Sequence, residues 1–135
     1  METNSFVGNV FVGNVFDPNC PSRVLFGRIG DKWVSLVIQV LADGPRRFSE
    51  LRQLVHVVTP KVLTQTLRSL ERDGLVKRTV FAQVPPRVDY ELTPLGQTLL
   101  EPLTAMREWA EHNVSAMLKS RDAYDEIQDA KILGS

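Results

Sequence analysis

The chain has 135 residues, 43% hydrophobic and 24% charged, with 16 Lys/Arg against 16 Asp/Glu. That length suits one ordinary domain, and that composition excludes disorder throughout. No apolar run reaches the roughly 18 residues that span a bilayer, no secretory signal is visible, and a single cysteine excludes an intramolecular disulfide framework.

Charge is unevenly distributed although it sums to zero. Residues 1–43 carry a net −1, residues 44–90 a net +5 and residues 91–135 a net −4. A basic middle with an acidic end fits a domain that turns one side toward nucleic acid.

Residues 1–19 read as an N-terminal arm. They contain FVGNV twice in succession, at 6–10 and 11–15. The copies are a short duplication or a start-site artefact, and they form either a strand-like arm against a partner or disorder. Two such short units are too few for a repeat architecture.

A first helix is expected from Cys20-Pro21, with Val24, Leu25 and Ile29 as its stripe and Gly30 as its end. Asp31 caps a second, in which Trp33, Leu36, Val37, Val40 and Leu41 recur at helical spacing. Asp43-Gly44-Pro45 stops it. Arg46-Arg47-Phe48 is a short extended piece, and Ser49 caps a helix whose Leu51, Leu54 and Val55 face inward. Thr59-Pro60 repeats the cap-plus-proline start for the helix that ends before Gly74.

That last helix divides into two chemistries. At about 100° per residue, Lys61, Thr64, Gln65, Arg68 and Arg72 share an arc of about 100°, and Leu63, Leu67 and Leu70 fall opposite. One face suits a core. The other suits phosphates and base edges, with Gln65 able to pair with adenine and Arg68 with guanine or phosphate. A solvated face is the plainer alternative. Two helices joined by a short turn, the second carrying such a face, make a helix-turn-helix.

LVKRTVFAQ and RVDYELT then alternate as half-buried strands do, with Pro85-Pro86 at the hairpin tip. This two-stranded wing carries Lys77, Arg78 and Arg87. Arg46 and Arg47 are candidates for backbone phosphates, Arg78 and Arg87 for the backbone or minor groove, and Thr59 for a phosphate besides its cap. Thr93-Pro94 opens a long final helix. In it Leu99, Leu103, Met106, Ala110, Val114 and Met117 step by 4, 3, 4, 4 and 3, a seam that wants a partner helix. Trp109 joins them as an anchor, Pro102 should kink or break the helix, and the acidic stretch 121–135 should fray.

Cys20 stands directly before a helix opened by Pro21, where the positive helix end and nearby Arg23 stabilise a thiolate. The alternative is a small buried hydrophobe. With one thiol per chain, oxidation would be intersubunit, mixed with a small thiol, or an adduct. His56 and His112 lack further ligands at metal spacing, so no metal is expected. No nucleophile–base pair, phosphate loop or carboxylate pair stands out, so neither an enzyme nor a cofactor is expected.

Several motifs in order resemble the HxlR-type (DUF24) winged helix-turn-helix regulators of bacteria and archaea. They are Cys-Pro at 20–21, Gly-Asp-Lys-Trp at 30–33, Gly-Pro-Arg-Arg-Phe at 44–48, Pro-Lys-Val-Leu-Thr at 60–64, Glu-Arg-Asp-Gly-Leu-Val at 71–76, Val-Pro-Pro-Arg-Val-Asp-Tyr at 84–90 and Leu-Thr-Pro-Leu-Gly at 92–96. The family usually shows Gly-Gly-Lys-Trp, so Asp31 is a departure, though one suited to a helix cap. The likeness covers about residues 20–120, with the arm 1–19 and the acidic tail 121–135 outside.

The resemblance implies an α+β, mostly α fold: a winged helix-turn-helix with a two-stranded wing and a long C-terminal dimerisation helix. It implies a homodimer on a roughly palindromic operator in double-stranded DNA, acting as repressor or activator, cytoplasmic and nucleoid-associated. A subset of the family senses electrophiles, quinones or oxidants through a thiol matching Cys20. A small electrophile or aromatic ligand is therefore a candidate partner, and a membrane is not. The alternative is a winged-helix protein-interaction module that meets an acidic partner without binding an operator.

Overall fold

The computed structural model describes residues 5–7 and 10–134, with side chains from Val12 to Gly134. The chain divides into two units, Met1–Leu100 and Glu101–Ser135.

The first unit opens on a hairpin of β1 (Ser5–Val7) and β2 (Val10–Val12). Phe6 stands opposite Phe11 of the second FVGNV copy, and Val7 stands opposite Val10 of its own copy. Helix α1 (Pro21–Ile29) follows, with Pro21 at its first position. None of its residues is buried: of the expected apolar stripe Val24 and Leu25 are exposed and Ile29 half-buried, and Phe26 is 65% exposed.

Helix α2 (Lys32–Val40) is capped by Asp31, whose Oδ1 accepts from the backbone N–H groups of Trp33 (2.8 Å) and Val34 (3.2 Å). Its buried residues are Val34, Val37 and Ile38, with Leu41 just beyond, while Leu36 is exposed and Trp33 half-buried. The helix turns a different edge inward from the one its spacing suggested, because KWVSLVIQV is apolar on most sides and periodicity alone does not choose.

A two-residue strand β3 (Arg46–Arg47) leads into α3 (Phe48–Leu54). The cap is Arg47 rather than Ser49, and Glu50 Oε1 accepts the Arg47 N–H at 3.1 Å. Antiparallel pairing of β3 with a later strand, Arg46 opposite Tyr90 and Arg47 opposite Asp89, keeps Arg47 extended, so the helix starts at Phe48, ahead of Ser49. Leu51 and Val55 are buried as expected, and Leu54 is exposed.

Helix α4 (Pro60–Arg72) starts where Thr59 Oγ1 accepts from Val62 N–H at 3.2 Å, and it buries Leu63, Leu67 and Leu70. It ends in a paired turn: Leu75 N–H donates to Leu70 C=O (2.9 Å) and Gly74 N–H to Glu71 C=O (3.0 Å). Gly74 takes φ 76°, the left-handed value this closure needs.

Strands β4 (Val76–Phe81) and β5 (Arg87–Leu92) pair antiparallel, from Val76 opposite Leu92 to Phe81 opposite Arg87. β3 adds on the far side of β5, giving the order β3-β5-β4. The wing sheet thus has three strands where two were expected, since a strand of two residues leaves no alternation to read. Thr93 Oγ1 accepts from Gly96 N–H (3.0 Å) and caps the one-turn helix α5 (Pro94–Gln97).

Helix α6 runs from Leu100 to Leu133. Pro102 does not break it. It lies in the first turn, where a proline's missing N–H has no intrahelical acceptor to lose, and the interruption falls at residues 98–99 instead. The stretch beyond Arg121, expected to fray, is helical to Leu133. It is rich in helix formers and has neither Gly nor Pro before Gly134.

Candidate nucleic-acid interface

The helix-turn-helix is α3 and α4, and the leucines of α4 decide which side it shows. With Leu63, Leu67 and Leu70 in the core, Lys61, Gln65 and Arg68 stand exposed and Thr64 half-exposed. Among the described residues, neither Lys61 nor Arg68 is held by a hydrogen bond or an ion pair. Thr64 Oγ1 donates to Pro60 C=O at 2.8 Å, which leaves its oxygen lone pairs as acceptors.

The sheet brings part of the wing beside this helix. Thr64, Arg68, Glu71, Arg78 and Tyr90 line one notch of about 350 Å³. There Arg78 Nε donates to Glu71 Oε2 at 3.2 Å, fixing the wing to the second half of α4. Burial raises the Tyr90 hydroxyl above its ordinary pKa, so it remains a neutral donor.

Arg47 and Arg87 meet at a second hollow of about 560 Å³, with Phe48, Pro85, Pro86 and Tyr90 among its walls. Arg87 is held twice by Asp89: Nε donates to Oδ1 and Nη2 to Oδ2, each at 2.8 Å. These hydrogen bonds are the main reason the Asp89 carboxyl lies below its usual range and the Arg87 guanidinium above its own. The guanidinium also lies 5.2 Å from the centre of the Phe81 ring, its cross-strand neighbour.

Arg46 is placed otherwise. Its Nε donates to Val40 C=O at 3.2 Å, and its other nitrogens lie 3.8 Å from Glu50 and 4.0 Å from Asp43. It braces the end of α2 against the start of α3, and Arg47 is the exposed member of the pair. Asp89 and Glu71 escaped the sequence reading as partners of candidate cations. A signal for Asp89 existed: residues i and i+2 of a strand share a face, which sets it beside Arg87.

Cys20 occupies the position just before α1, makes no side-chain capping bond to it, and is 1% exposed. Its Sγ lies 3.0 Å from Ser22 Oγ and accepts from Asn14 N–H at 3.3 Å. Burial raises its pKa, but the hydrogen bonds from Ser22 and Asn14 together outweigh burial and the nearby Asp17 carboxylate, so the thiol sits below its ordinary value. The ion pair of Arg28 with Asp73 fastens α1 to the end of α4.

Of the helix seam, Leu99 is half-buried and Leu103 buried. Met106, Trp109, Ala110, Val114 and Met117 are exposed, Trp109 at 70%. No helix among the described residues is long and apolar enough to cross a membrane.

A helix-turn-helix whose second helix shows a polar face beside an antiparallel wing is the framework of a winged-helix transcriptional regulator. The model of the HxlR-like helix-turn-helix family matches residues 28–117, and the chain belongs to that family. It is 40% identical over 107 residues to an uncharacterized HTH-type transcriptional regulator of Escherichia coli, YtfH, across 79% of this chain and 85% of the relative. The solved structure of the putative transcriptional regulator YtfH from Salmonella typhimurium superposes with a TM-score of 0.77 at 39% identity, over 82% of this chain and 99% of that one. The redox regulator HypR in its reduced form superposes with a TM-score of 0.67 at 39% identity, over 73% of this chain and 98% of that one. The protein is a transcriptional regulator of this type, and its relatives are regulators rather than enzymes.

Proposed function

We propose that the protein acts as a homodimer that binds a palindromic operator in double-stranded DNA, with one α4 from each subunit in the major groove. The observation that carries this reading is the division of α4, whose leucines fill the core while Lys61, Gln65 and Arg68 remain exposed. Lys61, Thr64, Gln65 and Arg68 contact base edges and phosphates. Thr59 and Arg47 serve the backbone beside them, and Arg78 and Arg87 serve it from the wing. Arg46 supports Arg47 from behind. Residues 20–120 form the regulatory domain, with the arm 1–19 and tail 121–135 as additions, and the protein works in the cytoplasm at the nucleoid.

Dimerisation uses Leu99 in the turn before α6 and, along α6, Leu103, Met106, Trp109, Ala110, Val114 and Met117. The exposed apolar residues of α1 and α6 support it, since apolar patches of this kind are ordinarily covered by a partner.

Cys20 adds regulation by a quinone-type electrophile, to whose ring carbon the thiolate sulfur adds as the C=C π bond breaks and the quinone oxygen takes a proton from water, or by an oxidant that takes two electrons as Cys20 joins a second thiol in a disulfide. The lowered thiol supports this, as does the likeness to a protein described as a redox regulator. A hollow of about 750 Å³ beside Cys20, Val24 and Leu25 offers room for a small electrophile or aromatic ligand.

A footprint on the DNA upstream of its own gene, taken over a salt series, tests the reading. Protection should weaken steeply with salt and should weaken further in Lys61→Ala and Arg68→Ala. Flat salt dependence with unchanged variants would leave the interaction-module reading instead. Repeating the footprint with a quinone tests Cys20, because a response retained in Cys20→Ser removes it as the sensor.

A further inference from the structure

We infer that Asp89 is a positioning residue for DNA recognition: it fixes the wing's Arg87 in one pose and thereby sets how well the wing discriminates among sequences. This rests on the DNA-reading function proposed above.

The geometry is that of a clamp. Both carboxylate oxygens accept from the guanidinium, each at 2.8 Å, the bidentate arrangement that restricts orientation as well as distance. The Asp89 side chain is 13% exposed and that of Arg87 is 35% exposed, so the anchor lies inside and the cation outside. Strand register adds a second restraint, because Arg87 stands opposite Phe81 and rests by its ring. Asp89 itself stands opposite Arg47 on β3 and Thr79 on β4. Asp89 is thus bonded to one of the two arginines that border the hollow at the wing tip and stands in register with the other.

Two consequences follow for binding. A guanidinium has about five N–H donors, and Asp89 engages two, which leaves the Nη1 edge for DNA. The side chain's rotamer entropy is lost during folding rather than on contact with DNA. The carboxylate also offsets the charge of Arg87, so the wing attracts any phosphate backbone less strongly. Both effects favour discrimination over general affinity.

The test compares wild type, Asp89→Ala, Asp89→Asn, Arg87→Ala and the Arg87→Ala/Asp89→Ala double variant. Affinity is measured for the footprinted promoter fragment and for a scrambled fragment of equal length. Asp89→Ala should bind scrambled DNA more tightly, with a salt slope steeper by about one. Its promoter-to-scrambled ratio should fall roughly threefold to tenfold. Asp89→Asn, which keeps one acceptor and the side-chain shape, should fall between and carries the test if the alanine loosens the wing. In the Arg87→Ala background, removing Asp89 should leave the ratio unchanged. An equal loss in both backgrounds, or a parallel loss of affinity for both DNAs, overturns the clamp while operator binding stands. Wild type without discrimination between the fragments overturns the operator-binding reading and the clamp with it.

Discussion

Gly96 lies flat against the backbone carbonyl of Leu75, so close that a Cβ on it would collide with that oxygen and come within 3.0 Å of the carbonyl carbon. Leu75 closes the turn after α4. Thr93 joins the same contact: its Oγ1 donates to Gly74 C=O at 2.6 Å and its N–H to Leu75 C=O at 3.1 Å. The exit of the wing is thus packed on the exit of the recognition helix. Gly96→Ala should force one backbone off the other and cost about 1–3 kcal/mol, the range for overpacking a close contact. An unchanged melting temperature would refute this packing.

The two ends of α4 make a separable pair of predictions. Thr59→Ala removes the acceptor for Val62 N–H and should cost about 1 kcal/mol. Gly74→Ala places a side chain at φ 76° and should cost about 1–2 kcal/mol. The helix has 13 residues, so its ends lie about 20 Å apart. The double variant should therefore equal the sum of the singles to within about 0.5 kcal/mol. Urea unfolding of the four proteins decides it, and a large departure from additivity would mean that the ends are coupled.

Much of this was legible because it is local. A Thr-Pro start, three inward leucines and an Asp-Gly stop define α4 without help from distant residues, and each stands where its chemistry requires. Other features depended on long-range partners. Arg47 rather than Ser49 caps α3 because β5 pairs with Arg46 and Arg47, and α2 chose its buried edge from an almost wholly apolar set. Arg46-Arg47 reads as extended in the sequence, but two residues carry no pattern that tells which strand they pair with. In the sequence Arg46 is indistinguishable from Arg47 as a candidate for a phosphate, yet tertiary folding points it at the carbonyl of Val40, which ends α2.

The wing pair should respond to acid. Asp89 has its carboxyl lowered chiefly by its hydrogen bonds to Arg87, so the charged form is the one the fold favours. A group lowered on folding contributes stability fully above its unfolded pKa, about 3.9, and loses it as pH falls through the lower folded value. The Asp89 carboxyl resonance should therefore titrate below the range of an exposed aspartate. In Arg87→Ala it should return toward the ordinary value. A midpoint that Arg87→Ala leaves in place would mean that another group holds the carboxylate.

Cys20 poses the opposite problem, a thiol lowered yet covered. Ser22 and Asn14 stabilise its sulfur while burial keeps reagent away, so reaction requires local opening. Alkylation by iodoacetamide should be at least roughly tenfold slower in the native chain than in urea at equal pH, since even a modest opening free energy suppresses the open form that far. Within the native chain the rate should rise with pH through a midpoint below that of the unfolded thiol, because the folded state favours the thiolate. The same sign makes this thiol's contribution to stability grow toward alkaline pH and vanish as pH falls through the folded midpoint. Ser22→Ala deletes one stabilising hydroxyl and should move the midpoint up, whereas the urea-unfolded rates of the two chains should coincide. A native thiol that reacts as fast as the unfolded one would show that the cover is not in place in solution. An unmoved midpoint in Ser22→Ala would show that the hydroxyl does not hold the sulfur.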